Sequence, residues 1–361
     1  MPVTLKDIAM LIGISRQAVA AALEGDGSSR VSPATREKVL KLARELNYVP
    51  NIAARTLKGG GNRTIGILSS SGMSFGNAVY SEVCHIFRSK GFNCLTMDHV
   101  MGDLPVLVNN LVACGAVAII VLECENTPSK LMSMPDVPIV FCRTKYGYSD
   151  VDVDKEMIGY IATEHLIKHG HKKIDYLAGH SSRNSRREQG WARALKEFGV
   201  SGQMIELRML NGDVNRLEEA LKKSGATALF CSNDYLAANV IRLLQERAWK
   251  IPQDLAVVGC DGHSLVQFVS PAITTVIQPV HALAKKLVNT TLYRLKNRIN
   301  GIVLERSVIQ PRLWIGGSCG CPVRPPQMFY RLNTTGNLEK DYRLNCNASL
   351  WQDENLSENQ L

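Results

Sequence analysis

The sequence of 361 residues lacks the segments that place a protein in or across a membrane. No apolar run approaches the roughly 20 consecutive residues that a transmembrane helix needs. The first seven residues contain no basic stretch followed by an apolar one, so we expect no secretory signal. These absences predict a cytoplasmic protein that has no membrane partner.

Catalytic and cofactor-binding motifs are also missing. The sequence offers no nucleophile paired with a base and no phosphate-binding glycine loop, so we expect neither enzymatic activity nor a cofactor.

His165, His169 and His171 are close in sequence, but His171 falls in the turn before a predicted strand, which argues against a metal site. Most of the ten cysteines lie in apolar runs and are expected to be buried and reduced. Cys319 and Cys321 are separated by one residue, which is not the spacing of zinc or redox pairs.

Positive charge is concentrated at the N-terminus. The whole chain has a net charge of +9, and residues 1–63 contain ten Lys and Arg against five Asp and Glu. More than half of the excess therefore lies in the first sixth of the chain. A basic terminal module indicates a polyanionic partner, which is usually nucleic acid.

The N-terminal residues have the pattern of two short helices around a turn. Thr4 and Asp7 have the spacing of a capping box at the start of the first helix. Gly13 ends this helix, and Ser15 is placed to cap a second helix over residues 16–23. Two short helices around a glycine turn are typical of a helix-turn-helix.

A third helix completes the predicted N-terminal module. Ser32 and Pro33 supply a preferred cap and first residue, and Asn47 is a suitable left-handed stop. In a helix-turn-helix the second helix enters the major groove of DNA, where Arg16 can pair with guanine and Gln17 with adenine. Three basic residues outside this helix contact phosphates or are simply solvated, namely Lys6, Arg36 and Lys38. The predicted DNA contacts of this module are Thr4, Lys6, Ser15, Arg16, Gln17, Ala20, Ala21 and Arg36.

The segment from Thr4 to Lys58 resembles the headpiece of the lactose/galactose repressor family, which consists of bacterial ligand-responsive transcription regulators. The matching segments are residues 4–9, 13–15, 31–39 and 46–51, followed by Ala53, Ala54, Arg55 and Leu57. The resemblance implies that residues 51–58 form a hinge helix on operator DNA, with Asn51, Ala54 and Leu57 as contacts. It also implies that Leu57 enters the minor groove, where an apolar wedge unstacks a base step and kinks the duplex.

From Thr64 onwards, short apolar runs alternate with amphipathic helices. Their continuous hydrophobicity predicts strands that are covered on both faces, and therefore parallel sheets in an α/β fold. The region is too long for one open sheet, so we expect two lobes with a cleft between them. It resembles the family's effector domain, which has the periplasmic sugar-binding fold. The predicted domains are a helix-turn-helix headpiece at 1–49, a hinge helix and linker at 50–61, a two-lobed effector-binding and dimerisation domain at 62–319, and a disordered tail at 320–361.

Polar residues that follow the predicted strands are candidates for a ligand site, because open parallel sheets bind ligands at the carboxyl ends of their strands. Arg187 is a forked donor, Asn233 offers a donor and an acceptor, and Asp261 accepts two hydrogen bonds. Each matches a ligand position of the family, as does Gln278. Phe75 follows the first strand and is a candidate for stacking on a ring.

The sequence therefore predicts a homodimeric transcriptional repressor that binds a near-palindromic operator in double-stranded DNA. A small-molecule effector between the lobes would change the lobe angle and the hinge spacing. A sugar suits Arg187 and Asp261, whereas Phe75 and Trp191 would sandwich a nucleobase in a corepressor-type regulator. Trp191 itself is expected in the core or the cleft wall rather than in direct contact with a ligand. A cytosolic ligand-binding protein without DNA function is the alternative from another class.

Overall fold

The structure is a computed structural model that describes residues 3–24, 31–48, 62–69, 74–99, 103–124, 137–143, 149–179, 185–210, 213–300 and 306–321. Backbone contacts divide the chain into one unit at 1–63 and another at 64–361. The predicted contacts Asn51, Ala54 and Leu57 of the hinge helix lie outside the described residues, as does nearly all of the predicted tail.

The N-terminal unit contains helices α1 (Leu5–Ile12), α2 (Arg16–Glu24) and α3 (Pro33–Glu45). The capping box is confirmed, because Thr4 N donates to Asp7 Oδ2 at 2.8 Å and Asp7 N donates to Thr4 Oγ1 at 3.4 Å. Gly13 ends α1 with a φ of 75°, a left-handed conformation that glycine adopts without steric cost. Ala18 N donates to Ser15 Oγ at 3.1 Å, so the predicted cap of α2 is also present.

The three helices enclose a small apolar core. Ser32 caps α3 and Pro33 is its first residue, which fixes the start of this helix as predicted. Asn47 follows α3 in the left-handed region with a φ of 49°. The buried side chains are Ile8, Ala9, Val19, Ala22, Val39 and Ala43. This spacing leaves Arg16 and Gln17, at the start of α2, exposed.

The first lobe of the larger unit is built on a parallel sheet with the strand order β11-β5-β4-β3-β1-β2. Its strands are β1 (Thr64–Ser69), β2 (Asn93–Asp98), β3 (Ala116–Leu122), β4 (Ile139–Cys142), β5 (Val151–Val153) and β11 (Ser307–Ile309). Helices α4 (Ser74–Ser89), α5 (Leu104–Ala113) and α11 (Val280–Asn297) pack against this sheet.

The second lobe has the strand order β12-β10-β9-β8-β6-β7, in which β12 alone is antiparallel. Its strands are β6 (Ile174–Ala178), β7 (Met204–Glu206), β8 (Ala228–Cys231), β9 (Ala256–Asp261), β10 (Thr274–Ile277) and β12 (Arg312–Trp314). Its helices are α6 (Lys155–Lys168), α7 (Arg186–Phe198), α8 (Leu207–Leu210), α9 (Val214–Ser224) and α10 (Asp234–Gln245). A 3-10 helix covers Ser264–Gln267.

Every residue of the inner strands β4, β6 and β8 is buried, whereas the edge strand β2 is largely accessible. Continuous apolar runs therefore mark strands with helices on both faces, as the sequence predicts. The α/β fold with two parallel-sheet lobes is confirmed. Within the described part of the chain, no helix combines the length and apolar character needed to cross a bilayer.

The chain passes between the lobes at three points within the described residues. It leaves the first lobe at Asp154, between β5 and α6, and returns at Gln278 and Pro279, between β10 and α11. It crosses again at Gln310 and Pro311, between β11 and β12. Because the carboxyl ends of β9 and β10 lie beside a crossing, residues there can contact both lobes.

Candidate ligand-binding cleft and nucleic-acid interface

Asp261 is the centre of a polar network at the carboxyl ends of β8, β9 and β10. Arg187 Nη2 donates to Asp261 Oδ1 at 2.8 Å, and Arg187 Nη1 donates to the carbonyl oxygen of Ser232 at 2.7 Å. Gln278 Nε2 donates to the same Asp261 oxygen at 2.5 Å. The structure thus brings together Arg187, Asp261 and Gln278 from three separate segments of the chain.

Asn233 lies next to this network but has a structural contact of its own. It caps α10, and its Oδ1 accepts a hydrogen bond from Leu236 N at 2.8 Å. Its backbone follows Ser232, whose carbonyl group binds Arg187. Phe75 lies in the first turn of α4, after β1, and its side chain is outside the described residues.

Two cleft residues that the sequence analysis did not predict come from the first lobe. Arg143 Nε donates to Glu123 Oε1 at 2.8 Å, and Arg143 Nη1 donates to Gln278 Oε1. Glu123 follows β3 and Arg143 follows β4, so both occupy the carboxyl edge of their sheet. The rule that identified Asp261 applies equally to this edge and would have found them. The amide of Gln278 therefore joins Arg143 in one lobe to Asp261 in the other.

The backbone is strained at three of these strand ends. Glu123, Arg143 and Asp261 have φ values of 59°, 58° and 117°, a region that residues with a Cβ rarely adopt. Such conformations cost on the order of 1–3 kcal/mol each and are concentrated at ligand sites. The strain therefore coincides with the polar network.

Arg187 is positioned by close packing of α6 on α7. A Cβ at Gly159 would lie 1.9 Å from the carbonyl oxygen of Arg187, and one at Gly190 would lie 1.8 Å from that of Glu156. The two backbones therefore touch, which is sterically feasible only because both positions are glycine. Ser185 caps α7, and its Oγ accepts a hydrogen bond from Glu188 N at 3.2 Å. The turn that carries Arg187 is therefore held by this cap and by the packing against α6.

Asp234 supports the Asp261 turn from inside the second lobe. Its Oδ1 accepts a hydrogen bond from the Thr275 hydroxyl at 2.6 Å, and its Oδ2 accepts one from His263 N at 2.7 Å. Burial raises the pKa of the Asp234 carboxyl to about 7, against the opposing effect of these hydrogen bonds. This carboxyl group ties β10 and the start of α10 to the residues that follow Asp261.

Two buried polar atoms of the network have no hydrogen-bond partner among the described residues. These are Arg187 Nε and Glu123 Oε2. Buried polar atoms are nearly always paired with protein, water or ligand. The cleft offers two guanidinium groups, two carboxylates and one amide, whose charges balance. Such groups bind and orient a polar ligand, and they include no nucleophile activated by a base.

Trp191 lies in the core and not at the cleft. Its side chain is 7% exposed, and its Nε1 donates to the carbonyl oxygen of Ile174 at 3.0 Å. Ile174 begins β6, whereas the cleft residues lie at the carboxyl ends of the strands. Trp191 is therefore a core residue, one of the two places expected for it, and it does not form one side of the nucleobase sandwich considered as an alternative.

The start of α2 presents the predicted DNA-binding side chains. Arg16 and Gln17 are exposed, whereas Ala20 and Ala21 are half-buried because they are nearer the core. Lys6 is exposed and Arg36 is half-buried. The hydroxyl oxygens of Thr4 and Ser15 accept the capping hydrogen bonds described above, and both residues are exposed.

Comparison with known proteins identifies both parts of the chain. The family model for bacterial regulatory proteins of the lacI family matches residues 4–51, and that for a periplasmic binding protein-like domain matches residues 163–319. The chain is 31% identical over 309 residues to the ribose operon repressor of Haemophilus influenzae, covering 81% of this chain and 92% of the relative. It is 30% identical over 335 residues to the HTH-type transcriptional repressor PurR of Vibrio atlanticus, covering 85% of this chain and 98% of the relative.

Solved structures show the same fold. The lac repressor dimer bound to operator and the anti-inducer ONPF superposes with a TM-score of 0.73 at 23% identity, covering 88% of this chain and 99% of that one. A complex of the transcriptional regulator CelR with cellobiose gives a TM-score of 0.58 at 24% identity, with the same coverage. The chain belongs to the lacI family of bacterial regulatory proteins and is a DNA-binding transcriptional repressor, not an enzyme.

Proposed function

We propose that the chain represses transcription as a homodimer on a near-palindromic operator and that it senses a sugar or sugar derivative between its lobes. The observation that carries the ligand proposal is the network in which Gln278 joins Arg143 of the first lobe to Asp261 of the second. A ligand that replaces or extends these hydrogen bonds interacts with both lobes at once. Its binding energy therefore depends on the angle between them.

The charge balance of the cleft favours a neutral ligand rich in hydroxyl groups. Arg143 is paired with Glu123 at 2.8 Å, and Arg187 is paired with Asp261 at 2.8 Å. A hydroxyl group can donate to a carboxylate and accept from a guanidinium, which matches this alternation. A nucleobase could not stack on Trp191, because that indole is in the core. A ribose operon repressor among the relatives agrees with a sugar.

The proposed mechanism uses the three crossings as hinges. A ligand in the cleft stabilises one lobe angle, and that angle sets the spacing of the paired hinge helices, which hold Asn51, Ala54 and Leu57. Leu57 is proposed to wedge into the minor groove at the operator centre. Coupling between two such sites typically amounts to about 1–3 kcal/mol.

A thermal-shift panel of monosaccharides, sugar phosphates and purines tests the ligand proposal. We expect a neutral sugar to raise the unfolding temperature of the wild type and to have no effect on Arg187→Ala. Arg193→Ala is the matched control, because Arg193 lies in the same helix and is exposed. Stabilisation by a purine alone, or by a sugar whose effect survives Arg187→Ala, would contradict the proposal.

A further inference from the structure

Two histidines and a cysteine lie together where α6 ends. His165 is in the last turn of α6, His169 caps the same helix, and Cys321 lies in the segment that follows β12. The Cys321 Sγ is 3.1 Å from His169 Nε2 and 3.6 Å from His165 Nε2. One ligand atom from each residue lies within 4.8 Å of the other two.

The segment that carries Cys321 is fixed against the starts of β9 and β10. Val257 N donates to the carbonyl oxygen of Ser318 at 2.8 Å, and Ser318 Oγ donates to that of Val257 at 2.5 Å. Thr274 N donates to Ser318 Oγ at 2.9 Å. The cleft residues follow the opposite ends of these two strands. The cluster is therefore separate from the proposed effector site and does not depend on it.

The imidazoles of His165 and His169 lie on the same face of α6. Residues four apart lie on one face of a helix, and the rings of His165 and His169 have centroids 4.6 Å apart. His165 is 8% exposed and Cys321 is 9% exposed, whereas His169 lies at the surface. The cluster is thus mostly enclosed and open to solvent on the His169 side.

The two sulfur–nitrogen distances fit a shared cation. Both Nε2 atoms approach the same sulfur, at 3.1 Å and 3.6 Å. In a tetrahedral zinc site, Zn–N bonds of about 2.0–2.1 Å and a Zn–S bond of about 2.3 Å place nitrogen and sulfur about 3.5 Å apart. The observed distances lie on either side of that value.

We propose that His165, His169 and Cys321 bind a Zn²⁺ ion through two imidazole nitrogens and one thiolate, with water in the fourth position. Imidazole and thiolate ligands select zinc over the hard cations Mg²⁺ and Ca²⁺. The Cys321 thiol loses its proton to solvent as the Zn–S bond forms, so one proton is released per ion bound. The ion then fastens the chain after β12 to the end of α6.

The sequence analysis argued against a metal site because His171 was taken as the third candidate ligand. The structure shows that His171 Nδ1 lies 2.9 Å from Thr227 Oγ1, where it is engaged in a different contact. Cys321 takes the third place, although it is 152 residues from His169 along the chain. Its neighbour Cys319 accepts a hydrogen bond from the Thr274 hydroxyl at 2.9 Å and also lies in contact with Cys321.

Cobalt titration of the full chain, first stripped with a chelator, tests this site. We expect one equivalent of Co²⁺ to give the visible bands of a tetrahedral ion and a thiolate-to-cobalt charge-transfer band, both removed by Zn²⁺. Cys321→Ser should abolish the charge-transfer band. His169→Gln, at an exposed position that keeps the fold intact, should weaken cobalt binding at least about 10-fold.

Two variants serve as controls. Cys114→Ser removes an exposed thiol elsewhere, and His171→Gln removes the neighbouring imidazole. Both should bind cobalt like the wild type. Absence of the charge-transfer band from the wild type, its survival in Cys321→Ser, or unchanged affinity in His169→Gln would overturn the site. Because no DNA or effector is present in the titration, failure of the proposed function leaves this result unaffected.

Discussion

Arg143, at the end of a first-lobe strand, donates a hydrogen bond to Gln278, the first residue after the last parallel strand of the second lobe. Gln278 is 1% exposed, and its amide nitrogen simultaneously donates to Asp261. One side chain at a crossing of the chain thus connects the polar ends of two sheets. Four predictions concern this network, its supports and the DNA-binding surface.

Gln278→Ala should reduce effector affinity by more than 10-fold, because a buried hydrogen-bonded link between charged groups is typically worth about 1.5–3 kcal/mol. The measurement is isothermal titration with the ligand found by the thermal-shift panel. Gln267→Ala is the matched control, since Gln267 is exposed in the 3-10 helix. Equal affinity of the wild type and Gln278→Ala would show that the amide does not contribute to binding.

Asp234→Asn should change how stability depends on pH. The pKa of the Asp234 carboxyl is raised to about 7 by burial, so the folded state holds the proton more tightly than the unfolded state. Its contribution to stability is complete below about pH 4 and is lost as the pH rises through about 7. The unfolding temperature of Asp234→Asn should therefore decline less than that of the wild type over this range.

Glu246→Gln is the control for this titration, because Glu246 is an exposed carboxylate that pairs with Arg242. Its unfolding temperature should follow that of the wild type at every pH. Parallel curves for Asp234→Asn and the wild type would mean that Asp234 is already ionised in the folded protein at low pH.

Gly190→Ala should destabilise the fold, because the added Cβ would lie 1.8 Å from the Glu156 carbonyl oxygen and force α7 away from α6. Overpacking of this kind costs about 1–3 kcal/mol. Urea unfolding followed by tryptophan fluorescence measures the loss. Ala192→Ser, on the exposed side of α7, should unfold at the wild-type midpoint. A wild-type midpoint for Gly190→Ala would show that the helices separate freely.

Arg16→Ala and Gln17→Ala should each weaken binding to a selected operator by about 1–3 kcal/mol, because each removes a contact to a base edge. Neither should affect binding to random duplex by as much. Lys6→Ala provides the contrast, since loss of a phosphate contact weakens both kinds of binding alike and lowers the salt dependence by about one ion. Competition binding at several salt concentrations distinguishes these cases. Equal losses on both DNAs for Arg16→Ala would exclude base recognition by Arg16.

Features that depend on near neighbours in the chain could be predicted from the sequence. The Thr4–Asp7 capping box and the stop at Gly13 require residues within one or two turns, and both are confirmed. The parallel strands could also be predicted from the sequence, because burial on both faces demands continuous apolar runs. The position of Arg187 beside Asp261 followed from the edge of the sheet at which parallel strands end.

Features that depend on pairing between distant segments could not be predicted in this way. The strand-end rule places Glu123 and Arg143 at the carboxyl ends of β3 and β4, but their hydrogen bond depends on the pairing of these two strands. The sequence left Trp191 open between the core and the cleft wall, and its contact with Tyr176 of β6 places it in the core. Cys321 lies beside the histidines of α6 because the chain returns to the second lobe just before β12.

The three crossings have a consequence for how such a repressor changes its preference for effectors. The described elements of the first lobe lie within residues 64–153 and 280–309, and those of the second within residues 155–277 and 312–321. Neither lobe is encoded by one uninterrupted stretch of gene, so a single recombination event exchanges parts of both and breaks their mutual packing. Substitution of the residues at the strand ends leaves that packing in place, so we expect changes in effector preference at these positions.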